Sequence, residues 1–305
     1  MLKTLNIITG IKLASVGYKD DSPKYKRKQQ WKISFHTLLN PIFSTKWFKL
    51  IKSPDFEHIL QNRPRIYIKP FRPYISTKWT KNHKVKTILD TYNFLKEKNI
   101  INEILTDSII IANINIDNQD IGFVKLEYDD RFRKEGELVL TFECTKCNEK
   151  ISSVAFSFEE KKPNNWNCLI GCVQGYSSKA NFKQAQKLLY GMRPNSFIIF
   201  TLQKLIKELS CNNILCASNL IQVNRKKHFI NIQKYHKISF NYNEFYEDSG
   251  AIKETPEWYS LPITPKQKSI DDVKSKKRNL YKKRYKLLDD ISLQIKNNIN
   301  NFYKK

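Results

Sequence analysis

The chain has 305 residues, with 54 Lys and Arg against 29 Asp and Glu, a formal net charge of +25, 40% hydrophobic residues and only 8 Gly. This length can bury a substantial core, and the composition excludes a collagen-like or low-complexity chain. No run approaches the ~20 apolar residues needed to span a bilayer, which excludes a transmembrane helix.

From the N-terminus, the apolar stretch Met1 to Gly17 is interrupted by Lys12 and is followed by no small-x-small cleavage site, so it is read as no signal peptide. Between Trp31 and Gln61, Trp31, Phe35, Phe43, Trp47, Phe48 and Phe56 alternate with basic residues at loose helical spacing. Such aromatics can stack on bases, dip into a lipid interface, or pack their helices onto a sheet. Arg63-Pro64-Arg65 and Phe71-Arg72-Pro73-Tyr74 form a Pro-stiffened connector, which marks a candidate boundary. Val85, Ile88, Leu89, Tyr92 and Leu95 then predict an amphipathic helix.

A run of strands follows. Ser108 to Ile116 and Ile121 to Tyr128 read as strands, and Glu137 to Glu143 alternates Leu138, Leu140 and Phe142 against Glu137, Thr141 and Glu143, predicting a half-buried strand. Ser153 to Phe158 repeats the alternation across a polar turn and completes a hairpin. Cys144 and Cys147 sit at that turn, whereas Cys168 and Cys172, four apart in the next strand, are expected to share a face ~13 Å apart, too far for one ion. No metal site is therefore expected, and all six cysteines are read as reduced thiols. Trp166 to Val173 is an apolar run fit for a central strand.

After Gly175 the period becomes helical, with Phe182, Ala185, Leu188 and Leu189, until Gly191-Met192-Arg193-Pro194 breaks it. Pro194 opens a second helix with Phe197, Ile198, Leu202, Leu205, Ile206 and Leu209 on its buried face, and Ile214 to Ser218 returns as a strand. This order predicts an α/β (α+β) fold: a mixed, mainly antiparallel sheet with crossover helices, preceded by helices and followed by a basic helix.

That order is similar to the acetyltransferase-like fold, in which an acyl-CoA lies where the fourth and fifth strands splay apart. The resemblance makes acyl-CoA the cofactor to expect, at Gln174, Gly175, Ser177, Arg193 and Asn219. The usual Gln/Arg-x-x-Gly-x-Gly/Ala loop is represented by Gln174-Gly175-Tyr176-Ser177-Ser178-Lys179-Ala180, with one Gly present and the second absent.

Charge divides the chain into three regions. Residues 1–100 hold 21 basic against 6 acidic residues, 101–265 hold 20 against 19, and 266–305 hold 13 against 4. The expected organisation is thus a basic, largely helical region 1–100, a neutral α/β core 101–265 and a basic amphipathic helix 266–305. In the last, Tyr281, Tyr285, Leu288, Ile295 and Phe302 recur at helical spacing, either to dock on the core or to leave Arg278, Lys282, Lys283 and Arg284 against an anionic surface.

Polar groups cluster at Asn219 to His228 and at Lys237 to Gly250, where His228, Tyr242 and Glu244 are the acid/base candidates. Here a second resemblance emerges. Glu135-Gly136-Glu137-Leu138, Leu169 to Gly175, Tyr190-Gly191-Met192-Arg193-Pro194, Ala217-Ser218-Asn219, Phe240 to Glu247 and Lys276 to Tyr285 together resemble the VirK/YbjX family, a proteobacterial family containing a domain of unknown function. This chain has Asn241 and Asn243 where the family tends to carry acids, and Cys172 where it tends to carry Gly. The resemblance implies a link to virulence and to envelope defence against cationic peptides, and it brings no settled reaction.

Three functions are consistent with these readings: an acyltransferase-like enzyme on an envelope component, a non-enzymatic binder of anionic lipid or lipopolysaccharide, and a nucleic-acid binder. The third ranks last, since no helix-turn-helix, RNA-recognition or zinc-finger signature is present. A cytoplasmic protein, peripheral to the inner membrane, is the expected setting.

Overall fold

A computed structural model describes residues 2–117, 119–175, 178–223 and 240–303. The chain forms two compact units, one of Met1–Tyr74 with Trp79–Val85 and the other of Ile75–Lys78 with Lys86–Lys305.

The first unit is helical: α1 Leu2–Gly17, α2 Pro23–Leu39, α3 Pro41–Ile51, α4 Pro54–Asn62 and a 3₁₀ stretch Pro64–Phe71. Pro23, Pro41, Pro54 and Pro64 each sit in the first turn, where a missing N–H costs nothing and the fixed φ is already helical. The aromatics between Trp31 and Gln61 divide into two sets. Trp47, Phe48 and Phe56 are buried within this unit, with Trp47 Nε1 donating to the Tyr67 carbonyl at 2.8 Å, whereas Trp31 and Phe35 are exposed. The buried set thus packs within a helical core.

Phe71 closes that core against Phe43, Phe48 and the ring of His36, whose centroid lies 5.5 Å away. Burial, then Arg72, Lys81, Lys32 and Lys84, push the His36 pKa down to about 4. The unfolded chain takes up its proton near pH 6.5, so stability present above that pH is lost as the pH falls from 6.5 towards 4. Allowing for the partial exposure of the ring, this amounts to roughly 2 kcal/mol. Urea titrations at pH 7 and pH 4.5 are expected to show a stability loss smaller by that amount in His36→Phe than in the native chain.

The second unit is built on one eight-stranded sheet in the order β1-β2-β3-β4-β5-β6-β8-β7. The strands are β1 Ile109–Ile116, β2 Gln119–Glu127, β3 Leu138–Cys144, β4 Glu149–Lys162, β5 Asn165–Gly175, β6 Asn213–Ala217, β7 Ile252–Lys253 and β8 Trp258–Leu261. All named pairs are antiparallel except β5–β6, which is parallel and therefore needs the crossover through α7 Lys179–Leu188 and α8 Pro194–Glu208. The fold expected from the sequence, a mixed and mainly antiparallel sheet with crossover helices, is the one observed.

α8 is buried along most of its length and lies on the sheet face that carries Phe142, whose ring meets Phe197 at 5.2 Å. Ser152 on that face donates to Asn195 Oδ1 at 2.7 Å. α5 Lys81–Glu97 meets β4 where β3 has ended: Thr91 Oγ1 bonds both the N–H and the carbonyl of Phe158, satisfying backbone groups that would otherwise lack a partner. α6 Ile101–Thr106 leads into β1, and α9 Tyr242–Asp248 precedes β7.

Two expectations are corrected. β3 and β4 are covered on both faces, with Thr141, Ser153, Ser157 and Ala155 fully buried, so neither is a half-exposed strand. Cys168 and Cys172 do not share a face. A register shift at Ala155/Phe156 leaves Gly171 as an extra residue, so Cys168 stands opposite Phe158 and Cys172 opposite Ala155.

The tail, α10 Ser275–Tyr303, behaves differently along its length. Leu287, Leu288, Ile291, Ile295 and Ile299 are buried against β1 and α8. Gln294 exchanges both hydrogen bonds with the Asn113 backbone (2.8 and 3.0 Å) and Asn298 donates to the Ile111 carbonyl, so α10 caps an otherwise open sheet edge. Ser275 to Lys286 projects seven basic residues and no acid. Docking thus holds for the C-terminal half and exposure for the N-terminal half.

Candidate functional site

The opening in this sheet lies at its parallel pair. Register runs from Asn167↔Asn213 to Ile170↔Cys216, after which β5 continues to Gly175 while β6 stops at Ala217. Past that point Tyr242 of α9 enters, buried, and its hydroxyl donates to the Val173 carbonyl at 3.3 Å.

α9 is held there by an asparagine triad. Asn219 Oδ1 accepts from the Tyr242 N–H (3.1 Å), Asn219 Nδ2 donates to Asn241 Oδ1 (2.6 Å), and the Asn219 N–H donates to Asn243 Oδ1 (2.8 Å). Asn241 caps the helix by accepting from the Glu244 N–H, and its Nδ2 donates to the Glu244 carboxylate at 3.2 Å, a reciprocal capping arrangement. An acid at 241 could not donate to the Glu244 carboxylate, so the amide suits that position, whereas Asn243 serves only as an acceptor, a role a carboxylate can also fill.

Two buried polar atoms beside the end of β6 have no hydrogen-bond partner among the described residues: the Tyr246 hydroxyl and Gln222 Oε1. Gln222 Nε2 donates to the Ala217 carbonyl at 2.9 Å, which fixes its amide at the strand end. Burial, then Cys216, Tyr242 and Cys172, push the Tyr246 phenol well above its ordinary pKa, so it stays a neutral donor. An unpaired buried hydroxyl costs about 1–3 kcal/mol. Tyr246→Phe is therefore expected to raise stability by about 1 kcal/mol, read as an increase in the urea midpoint at unchanged slope.

A polar row crosses the face opposite α8. Lys125, Thr141, Ser153 and Gln174 stand side by side on β2, β3, β4 and β5, with Thr141 and Ser153 bonded at 2.9 Å. Lys125 pairs with Glu127 (3.1 Å) and Glu143 (2.8 Å), Lys150 with Glu127 (2.9 Å), and Arg131 with Asp129 (2.5 Å). Burial alone would lower the Lys125 pKa, but its bonds to Glu143 and Glu127 hold it above the ordinary value. Burial would raise Asp129, and Arg131 instead holds it low. These charges neutralise one another and floor the face up to Gln174.

Of the residues named from sequence, Gln174 and Gly175 are exposed at the end of β5, and Gly175 lies beside Phe182 and Asn195. Arg193 immediately precedes α8, its side chain 70% exposed and 3.9 Å from Asp248 of α9. Gln174, Gly175, Arg193 and Tyr242 are thus drawn around one end of β5, while Asn219 and Glu244 are engaged in seating α9. Ser177 and His228 lie outside the described residues. In the tail, Arg284 donates to the Tyr190 carbonyl (2.6 and 3.1 Å) and Arg278 to Val273 and Asp271, leaving Lys282 and Lys283 exposed. Sequence reasoning missed Tyr246, Gln222 and the polar row. The available signal was Thr141 and Ser153, polar residues inside otherwise apolar strands.

Cys144 and Cys147 meet at the hairpin turn with sulfurs 2.8 Å apart, while burial pushes the thiols of Cys168 and Cys172 well up. Among the described residues, no group of three His, Cys, Asp or Glu is placed to hold a metal ion, and no helix is long and apolar enough to cross a membrane.

These elements define a mixed α/β protein whose sheet opens at its one named parallel pair and is filled there by an aromatic helix. The chain belongs to the family described as "Protein of unknown function (DUF535)", the VirK/YbjX family, which matches residues 23–297. It is 23% identical over 279 residues to the "Uncharacterized protein YbjX" of Escherichia coli (strain K12), covering 89% of this chain and 83% of that protein. It is also 33% identical over 155 residues to an "Uncharacterized protein" of Haemophilus influenzae, covering 48% of each chain. A further Haemophilus influenzae "Uncharacterized protein" is 35% identical over 127 residues, 41% of each. No solved structure is matched.

Proposed function

We propose that this protein is an acyltransferase-like enzyme that receives an acyl thioester where β5 and β6 diverge. The observation that carries the reading is the strand order with its single named parallel pair, together with Tyr242 hydrogen-bonded to the Val173 carbonyl beyond the last β5–β6 register pair. In the acetyltransferase-like arrangement the acyl chain and its pantetheine arm lie along that strand. A hydroxyl that satisfies a strand carbonyl can be exchanged for an amide of the arm at little net cost, because one hydrogen bond replaces another.

The phosphate end fits less well. Gly175 is present, but the second glycine is not, and Arg193 lies 3.9 Å from Asp248. The thioester end therefore supports the reading, while a dedicated pyrophosphate cradle does not. When bound, the thioester would supply an activated carbonyl; the acceptor's O–H or N–H adds to it and gives up its proton, the C–S bond breaks, the departing sulfur takes a proton from a phenol, and the acceptor's proton restores that phenol. Tyr242 is the residue positioned to give the sulfur its proton, Asn219 is the residue that positions Tyr242, and the neutral Tyr246 hydroxyl is a free donor beside it. Envelope lipid as the acyl acceptor, and with it a role in envelope maintenance, virulence or antimicrobial-peptide resistance, is the setting that the family resemblance suggests.

Calorimetric titration with short- and long-chain acyl-CoA and with acyl-pantetheine tests the proposal. Binding of at least one thioester is expected, with pantetheine retaining most of the affinity; no binding by any of them would overturn it.

A second reading, adhesion to an anionic envelope surface, is favoured by a separate observation. Ser275 to Lys286 places seven cations and no acid at a helix N-terminus, where the helix dipole is already positive, a placement that is unfavourable until an anion is present. Lys282 and Lys283 are its exposed contacts, since Arg284 is bonded to Tyr190.

A further inference from the structure

The outward faces of α1 and α2 carry large apolar side chains that the first unit leaves uncovered. Among the described residues, nine of the fifteen exposed large hydrophobic side chains fall between Leu5 and Ile42. On α2, Trp31, Phe35, Leu38 and Leu39 follow at spacings of three and four, hence on one side of the helix, and Trp31 is 78% and Phe35 59% exposed. Their counterparts on α1 are Leu5 and Ile8. The inward faces are fully used: Ile33 and Thr37 are buried, and Gln30 Nε2 donates to Ser15 Oγ across the hairpin at 2.9 Å.

The charge around this patch has one sign. α1, α2 and α3 contain no Asp or Glu, and the only acids between residues 2 and 51 are Asp20 and Asp21 in the connecting turn, where Asp21 is paired with Arg65 at 2.5 Å. Lys12, Lys24, Lys28 and Lys32 are exposed among the apolar residues. A Trp and a Phe projecting from a face edged by lysines match the region between acyl chains and headgroups, where the ring enters and the ammonium meets phosphate. A base-stacking role for the same residues fits less well, because the aliphatic Leu38, Leu39, Leu5 and Ile8 that share the face offer bases no π-surface.

We infer that the α1–α2 hairpin is an interfacial anchor that seats this protein on an anionic phospholipid bilayer, with Trp31, Phe35 and Leu38 inserted and Lys24, Lys28 and Lys32 on the headgroups. This anchor does not depend on the acyl-thioester reading, and it is distinct from the cationic stretch of α10.

Flotation of the full chain tests it, using vesicles of phosphatidylcholine alone and with about 30% phosphatidylglycerol at about 0.15 M salt. The native chain is expected to float with the anionic vesicles and not with the neutral ones. Trp31→Ser with Phe35→Ser, both at exposed positions, is expected to leave circular dichroism and melting unchanged while reducing the bound fraction at least about ten-fold. Lys24→Glu with Lys28→Glu should reduce it as well, and Lys282→Glu with Lys283→Glu should leave most of it intact. Absence of flotation, flotation indifferent to the Trp31/Phe35 pair, or flotation abolished by the Lys282/Lys283 pair alone would overturn the assignment. So would a lipid-free dimer in sedimentation that the Trp31/Phe35 pair dissociates, since the face would then belong to a second copy.

Discussion

Gly171→Ala is expected to destabilise the second unit by at least about 3 kcal/mol, enough to leave little folded protein at 37 °C. Gly171 is the extra residue in the β5 bulge, and a Cβ there would fall 1.9 Å from the Glu135 carbonyl oxygen and 2.7 Å from its carbon. The obstacle is backbone, so no rotamer change relieves it. Glu135 cannot retreat easily, because its N–H is bonded to the Phe132 carbonyl at 2.8 Å and Gly136 is itself pressed against Phe156. The next residue, Glu137, is buried, with its carboxylate accepting from Tyr92 at 3.0 Å and its N–H donating to Ser157 Oγ at 3.0 Å. The Glu135 to Leu138 motif and the Leu169 to Gly175 motif are thus two sides of one close crossing. Urea denaturation of Gly171→Ala, beside Gly175→Ala as a control at a glycine of the same strand where an added Cβ would come no nearer than 3.4 Å to Phe182, measures the difference. Equal losses in the two variants would refute the crossing as the cause.

Tyr242→Phe carries the largest expected effect on chemistry. If the phenol protonates the leaving sulfur, its removal lowers the maximal rate of thioester cleavage about 10²-fold or more. Stability should fall by only about 1 kcal/mol, the value of one neutral hydrogen bond to Val173. Asn219→Ala separates positioning from chemistry. It removes the two side-chain hydrogen bonds that hold the α9 N-terminus and leaves the backbone N–H bond to Asn243, so it should change substrate affinity and rate together and lower stability, whereas Tyr242→Phe should spare affinity. Release of free thiol from acyl-pantetheine reports both variants.

The fold was legible wherever one side of an element had a single job. Phe197, Ile198, Leu202, Leu205 and Ile206 announced the face of α8 because they pack on the sheet, and Pro194 marked its start through its missing N–H. The parallel β5–β6 pair followed from two helices standing between two apolar strands. Burial of Thr141 and Ser153 was not legible, because alternation shows which residues are polar and not whether charges on neighbouring strands will cover them. Lys125, Glu127, Glu143 and Lys150 come together only through the register. The faces of Cys168 and Cys172 were hidden by one extra residue, since period-two reasoning inverts after a bulge.

The site was legible in part. Gln174, Gly175, Arg193 and Tyr242 do gather at one end of β5, but the roles of Asn219 and Glu244 depend on the geometry of α9, which no local pattern encodes. At the N-terminus, Trp31 and Trp47 are the same residue type at similar spacing from basic neighbours. Only the packing of α3 on the core separates the buried one from the exposed one.

Amide hydrogen exchange with and without a bound acyl thioester tests the central claim most directly. Slower exchange is expected in peptides covering Val173 to Gly175, Asn213 to Ala217 and Tyr242 to Asp248, the three segments that border the divergence, and the protection should persist in Tyr242→Phe and shrink in Asn219→Ala. Protection absent from all three segments, or confined to residues elsewhere, would contradict a ligand site between β5 and β6.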